Sequence, residues 1–75
     1  MKVEIFSKPD CGYCVMAKSL AETKQIDYEV KMLDVDFSRD ELFEQFPGAR
    51  SFPQIRVDGV AIGGYDQFKK LLETA

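Results

Sequence analysis

The chain contains no histidine, no tryptophan and only two cysteines among its 75 residues. A closed structural zinc site takes four ligands, so Cys11 and Cys14, even joined by Asp10, leave the set short. Positive charge is sparse as well: 10 basic residues against 13 acidic ones give a net charge of −3, and no basic block appears. That argues against nucleic acid as a partner. Apolar runs such as Val15-Met16-Ala17 and Val60-Ala61-Ile62 are far below the roughly 20 residues needed to span a membrane. The opening Met1-Lys2-Val3-Glu4-Ile5-Phe6 lacks an apolar h-region and a small-residue cleavage site. No secretory signal is expected, and the expected location is the cytoplasm. Structural disulfides are rare there, so the two cysteines need another explanation.

What the sequence does contain suits one small core. Apolar residues make up 45% and aromatics 12%, which argues against disorder. Residues 1–75 read as a single domain, too short for two cores and burying only about 60% of its unfolded surface. Lys2 to Phe6 is β-branched and aromatic and predicts a strand. Gly12 to about Lys24 has helical spacing through Val15, Ala17, Leu20 and Ala21. Asp27 to Leu33 alternates, with Tyr28, Val30 and Met32 on one face and Glu29 and Lys31 on the other. Ser38-Arg39-Asp40-Glu41 matches a capping box, followed by Leu42, Phe43 and Phe46 at helical spacing and a stop at Pro47-Gly48. Gln54 to Val57 predicts a third strand, Asp58-Gly59 a two-residue hairpin, and Val60 to Ile62 a fourth strand broken by Gly63-Gly64. Tyr65, Phe68, Leu71 and Leu72 mark the core face of a closing helix. The order β-α-β-α-β-β-α makes an α/β fold: a four-stranded mixed sheet flanked by three helices. Its first two strands are parallel and its last two antiparallel.

Cys11-Gly12-Tyr13-Cys14 falls where the first strand passes into the first helix of a βαβ unit, the setting of a redox C-x-x-C motif. Disulfide exchange needs a thiolate, and an ordinary cysteine is only about 3% ionised at pH 7. A helix N-terminus, with unpaired N–H groups and the positive end of the dipole, stabilises that charge. Cys11 lies there, and Lys8 three residues upstream adds to the effect. Cys14, one turn on, is more covered. Cys11 is therefore expected to attack and Cys14 to resolve. Two blander readings stand beside this one. A structural disulfide across two residues closes a loop worth only roughly 2 kcal/mol. Two core cysteines spaced this way by chance are the other.

Four separated features make the sequence similar to the glutaredoxins over nearly its whole length. Ser7-Lys8-Pro9-Asp10-Cys11-Gly12-Tyr13-Cys14 resembles their active-site segment, and Ser51-Phe52-Pro53 stands where they usually carry Thr-Val-Pro with a cis proline. Gly63-Gly64-Tyr65-Asp66 resembles their Gly-Gly-x-Asp turn, and the element order agrees. The resemblance implies a thioredoxin fold and a glutathione-dependent thiol–disulfide oxidoreductase, a redox-active electron-transfer protein reducing protein disulfides and glutathione mixed disulfides. Glutathione then serves as reductant and co-substrate, with no tightly bound cofactor and no metal ligands. The protein would be a monomer, with disulfide-containing proteins such as a ribonucleotide reductase as partners and neither nucleic acid nor membrane among them.

Under this resemblance Cys11 and Cys14 are the catalytic pair, and Lys8, Tyr13, Phe52, Pro53, Gly64, Tyr65 and Asp66 contact glutathione. Lys8 holds a carboxylate, Phe52 offers backbone N–H and C=O groups beside Cys11, and Tyr13 packs on substrate or covers the disulfide. Asp66 binds the amino group of the γ-glutamyl end while nearby N–H groups take its carboxylate. Arg50 is a further carboxylate partner. Each has a plainer reading: a solvated lysine, a proline that starts an edge strand, a helix-capping aspartate, glycines that permit a bend. Gly12 replaces the family's usual proline, and members without it sometimes bind a [2Fe–2S] cluster between two subunits. Phe52 is larger than the usual valine. A cluster carrier is thus one alternative. A thioredoxin-like donor recharged by a flavoprotein reductase is another, although the tryptophan that precedes the motif in thioredoxins is missing.

Overall fold

A strand covered on both faces cannot alternate apolar and polar residues in the usual way, and β1 (Val3–Ser7) is such a strand, with all five residues buried. In this computed structural model, which describes residues 1–49 and 51–74, β1 leads through α1 (Gly12–Thr23) to β2 (Tyr28–Met32). Then come α2 (Arg39–Gln45), the hairpin of β3 (Gln54–Val57) and β4 (Val60–Gly63), and α3 (Tyr65–Thr74). The sheet order is β2-β1-β3-β4. β1 runs parallel to β2 and β3 is antiparallel to β4, as the element order requires, and β1 also pairs antiparallel with β3, which that order alone does not dictate. The expected four-stranded mixed sheet with three helices is present, with ends shifted by a residue or two.

Each face of the sheet has its own core. Val3, Ile5, Ile55 and Val57 pack with Ala17 and Ala21 of α1 and Phe68 of α3. Alanines on α1 let that helix approach the sheet closely, and Phe68 fills the space beside them with no exposed surface. On the opposite face Phe6 packs with Leu33, Phe37, Leu42 and Phe46. The Phe6 ring meets Phe37 and Phe46 edge-on at 5.1 Å each, an arrangement that adds about 0.5–1.5 kcal/mol per pair beyond area burial.

Glu4 is 6% exposed on this second face, where an unpaired carboxylate would be costly. It is not unpaired. Arg56, opposite it on β3, donates from Nε at 2.9 Å and from Nη2 at 2.6 Å, and Lys31 of β2 brings Nζ to 2.9 Å. The hydrogen bond from Arg56, with help from Lys31 and against the effect of burial, lowers the Glu4 carboxyl from 4.5 to about 2. Both cations also stand 5.5 Å from the Phe6 ring centre, so the ion cluster and the aromatic core share a side chain.

Local signals explain most element ends. Ser38 Oγ accepts from the Glu41 N–H and Glu41 Oε1 accepts from the Ser38 N–H, both at 3.2 Å, completing the capping box at the start of α2. Asp58 and Gly59 both have positive φ, 51° and 83°, as a type I′ hairpin turn demands. Two expectations need correction. Phe43 is 47% exposed, because α2 is only two turns long and turns Leu42 and Phe46, four residues apart, toward the sheet. Gly63 does not break β4 but ends it, paired with Ile55 across a register shift.

Candidate active site

The segment after β1 turns sharply before α1 begins. Asp10 has φ +56°, the left-handed region, and Cys11 returns to extended geometry at φ −111° and ψ 106°. Cys11 is thereby the N-cap of α1. Its Sγ accepts a hydrogen bond from the Cys14 N–H at 3.2 Å, the place a serine or aspartate oxygen occupies in an ordinary cap. The first turn of α1 carries no acidic residue to oppose negative charge on that sulfur. Cys11 and Cys14 are joined by a disulfide, their Cα atoms 5.2 Å apart. Cys11 is partly exposed, whereas Cys14 is 6% exposed beneath the first turn. The expected asymmetry is therefore built: one sulfur reachable and capping, the other sheltered. Such a pair can pass two electrons to or from another disulfide by exchange through the outer sulfur.

Beside the pair lies a cleft of about 740 Å³ between the segment after α2 and the start of α3. It gathers six of the expected contact residues: Tyr13, Phe52, Pro53, Gly64, Tyr65 and Asp66. The Phe52–Pro53 bond is cis. Tyr13 is 59% exposed and its ring stands 5.9 Å from that of Tyr65, linking the starts of α1 and α3 across one end of the cleft. Asp66 is exposed in the first turn of α3. Gly64 answers a close approach: a Cβ there would come within 3.3 Å of the Pro53 carbonyl oxygen.

Lys8 is the exception. It lines a separate groove together with Cys11 and Cys14, and its Nζ stands 5.8 Å from the Phe52 ring centre, at the border of the two hollows. Phe52, larger than the valine usual in the family, also packs with its ring centre 6.4 Å from that of Phe37 and so is anchored from behind. Arg50 lies outside the described residues. Sequence reasoning missed Gln67, which lines the cleft and whose Oε1 accepts from the Gly64 N–H at 2.9 Å. The signal was available: glutamine three residues after a helix N-cap is half of a capping box, here with Gly64 in place of the serine.

Fold and site together define a thioredoxin-fold dithiol protein. The glutaredoxin family model matches residues 3–62, and the chain belongs to the glutaredoxin family. It is 38% identical over 65 residues to the mitochondrial glutaredoxin-2 of Bos taurus, covering 83% of this chain but 41% of that protein. The chain thus spans about two-fifths of the length of that curated relative. The structure of reduced Escherichia coli glutaredoxin superposes with a TM-score of 0.84 at 30% identity, covering 99% of this chain and 95% of that one. A buckwheat glutaredoxin–glutathione complex matches with a TM-score of 0.80 at 29% identity, over 96% of this chain and 68% of that one.

Proposed function

We propose that the protein is a glutathione-dependent thiol–disulfide oxidoreductase acting on protein disulfides and on glutathione mixed disulfides. One observation carries the reading. The helix-capping, accessible Cys11 adjoins a cleft whose lining includes a cis-proline segment and the Gly64-Tyr65-Asp66 helix start. The cleft's volume lies within the roughly 300–1,000 Å³ of small-molecule sites. The buckwheat relative, solved as a glutathione complex, supports glutathione as its occupant.

In this mechanism the Cys11 thiolate attacks one sulfur of a substrate disulfide. A bond forms between Cys11 and that sulfur while the other leaves as thiolate and takes a proton. Cys14 then attacks Cys11 Sγ, releasing the second substrate thiol and closing the Cys11–Cys14 disulfide. One glutathione thiolate opens it at Cys11, returning Cys14 to the thiol. A second attacks the bound glutathione sulfur, leaving glutathione disulfide and the Cys11 thiolate, two electrons having passed. A glutathione mixed disulfide needs Cys11 alone. Capping by the Cys14 N–H and the α1 dipole favours the Cys11 thiolate, while Asp66 and the helix start of α3 offer a partner for each charge of an amino-acid terminus. We take the working compartment to be the cytoplasm, the active form to be a monomer, and the protein clients to include enzymes such as ribonucleotide reductase.

The test is a coupled assay with glutathione and glutathione reductase against thioredoxin reductase, on 2-hydroxyethyl disulfide and on a protein disulfide. Turnover with glutathione only is expected. Cys11→Ser should lose both activities and Cys14→Ser only the second. Activity remaining in Cys11→Ser, or recharging by thioredoxin reductase alone, would refute the reading.

A further inference from the structure

The reactive pair stands on a ridge between two hollows, and the second has no role in the mechanism above. Neither cysteine lines the cleft that Tyr13 and Asp66 share, but both line a groove of about 540 Å³ on the opposite side. Its walls are the loop after β1, the outer face of the first turns of α1, and the side chains of Val30 and Met32 on β2. Val15, one residue beyond Cys14, is 63% exposed at its edge, an apolar side chain left open to water beside the sulfurs.

Charge around this groove differs in sign from that of the chain. Lys8 and Lys18 flank it against the single carboxylate of Asp10, on a protein whose net charge is −3. Lys18 is exposed, four residues after Cys14 and so on the same helical face, and has no ion-pair partner among the described residues. A protein substrate carries a longer chain than glutathione on each side of its cysteine, and the groove that both Cys11 and Cys14 line offers that chain a surface beside the sulfurs.

We propose that this second groove receives the flanking segment of a protein disulfide substrate, an apolar side chain next to a carboxylate, and so selects acidic–apolar clients. Val15 and Met32 take the apolar side chain, and Lys18, with Lys8, takes the carboxylate. The inference rests on the redox reading of Cys11 and Cys14 but not on glutathione.

The experiment is single turnover of the pre-reduced protein, without glutathione, on two disulfide-cyclised peptides that differ only in carrying Leu-Glu or Leu-Lys on both sides of the attacked cysteine. The Leu-Glu peptide should react about tenfold faster at low salt, the effect of reversing two partly exposed charges. The difference should shrink in 1 M salt, where screening acts within about 3 Å. Lys18→Glu should invert the preference and leave the rate with 2-hydroxyethyl disulfide unchanged, and Val15→Ser should slow both peptides, which share the leucine, without changing the rate with 2-hydroxyethyl disulfide. Equal rates for the two peptides, or a Lys18→Glu variant that slows the uncharged disulfide as much as the peptide, would overturn the proposal. Loss of glutathione coupling with the peptide preference intact would refute the glutathione reading and leave this one standing.

Discussion

Glu4 ties three strands together at one point, and its removal can be followed by pH. Its carboxyl is lowered from 4.5 to about 2, chiefly by the Arg56 hydrogen bond. At ~1.36 kcal/mol per pH unit, that fall corresponds to about 3 kcal/mol of folded-state stability. The folded value is the depressed one, so the contribution is complete above about pH 4.5 and disappears as pH falls through about 2. In that window the unfolded chain holds more protons, and stability rises with pH. A domain of this size has only about 4–11 kcal/mol in total, so the effect is a large share. Glu4→Gln should destabilise at pH 7 by about 3 kcal/mol, near the lower limit for breaking a buried pair, since Arg56 and Lys31 both keep some contact with water. The assay is urea unfolding of both proteins, with the Cys11–Cys14 disulfide kept oxidised, from pH 7 to pH 2. The difference between them should be steady down to pH 5 and close toward pH 2. Curves that stay parallel over the whole range would refute the assignment of this energy to Glu4.

Phe68→Ala removes a fully buried ring from between α1 and the sheet, and should lower unfolding free energy by about 3–5 kcal/mol in a denaturant titration. Ser38→Ala deletes one half of the α2 capping box and should cost about 1 kcal/mol, with Glu41→Ala adding less than its separate effect when the two are combined. Gly64→Val presses a side chain against the Pro53 carbonyl at the cleft wall, and should raise the KM for glutathione substrates about tenfold while single-turnover reduction of peptide disulfides persists.

The parts of the fold legible in the sequence are those governed by neighbouring residues. Asp58-Gly59 supplies the two positive φ angles of a tight hairpin, Ser38 and Glu41 satisfy each other's backbone groups, and Cys11 caps the helix that follows it. What escaped was set by partners remote in sequence. Glu4 and Arg56 are 52 residues apart, and only the β1–β3 register brings them together. Helical spacing alone does not say which of Leu42, Phe43 and Phe46 turns inward; the sheet decides that. The site divides in the same way. Six cleft residues were found through motifs, but Lys8 lines the other groove, a placement no motif announces. That groove is drawn from a loop, a helix and a strand, each supplying residues unremarkable in isolation.

The central strand has a consequence for how the protein moves as it works. β1 is bonded along both edges and shielded above and below, and Cys11 lies only four positions past its end. Amide protons of Val3 to Ser7 that are held in the ladder should therefore exchange with solvent only when the entire molecule opens. Cycling between dithiol and disulfide should change exchange in the first turn of α1 and leave this strand untouched. Cys11 is thus carried a few residues beyond a strand held on every side, and the changes that redox cycling brings are expected to be confined to the first turn of α1.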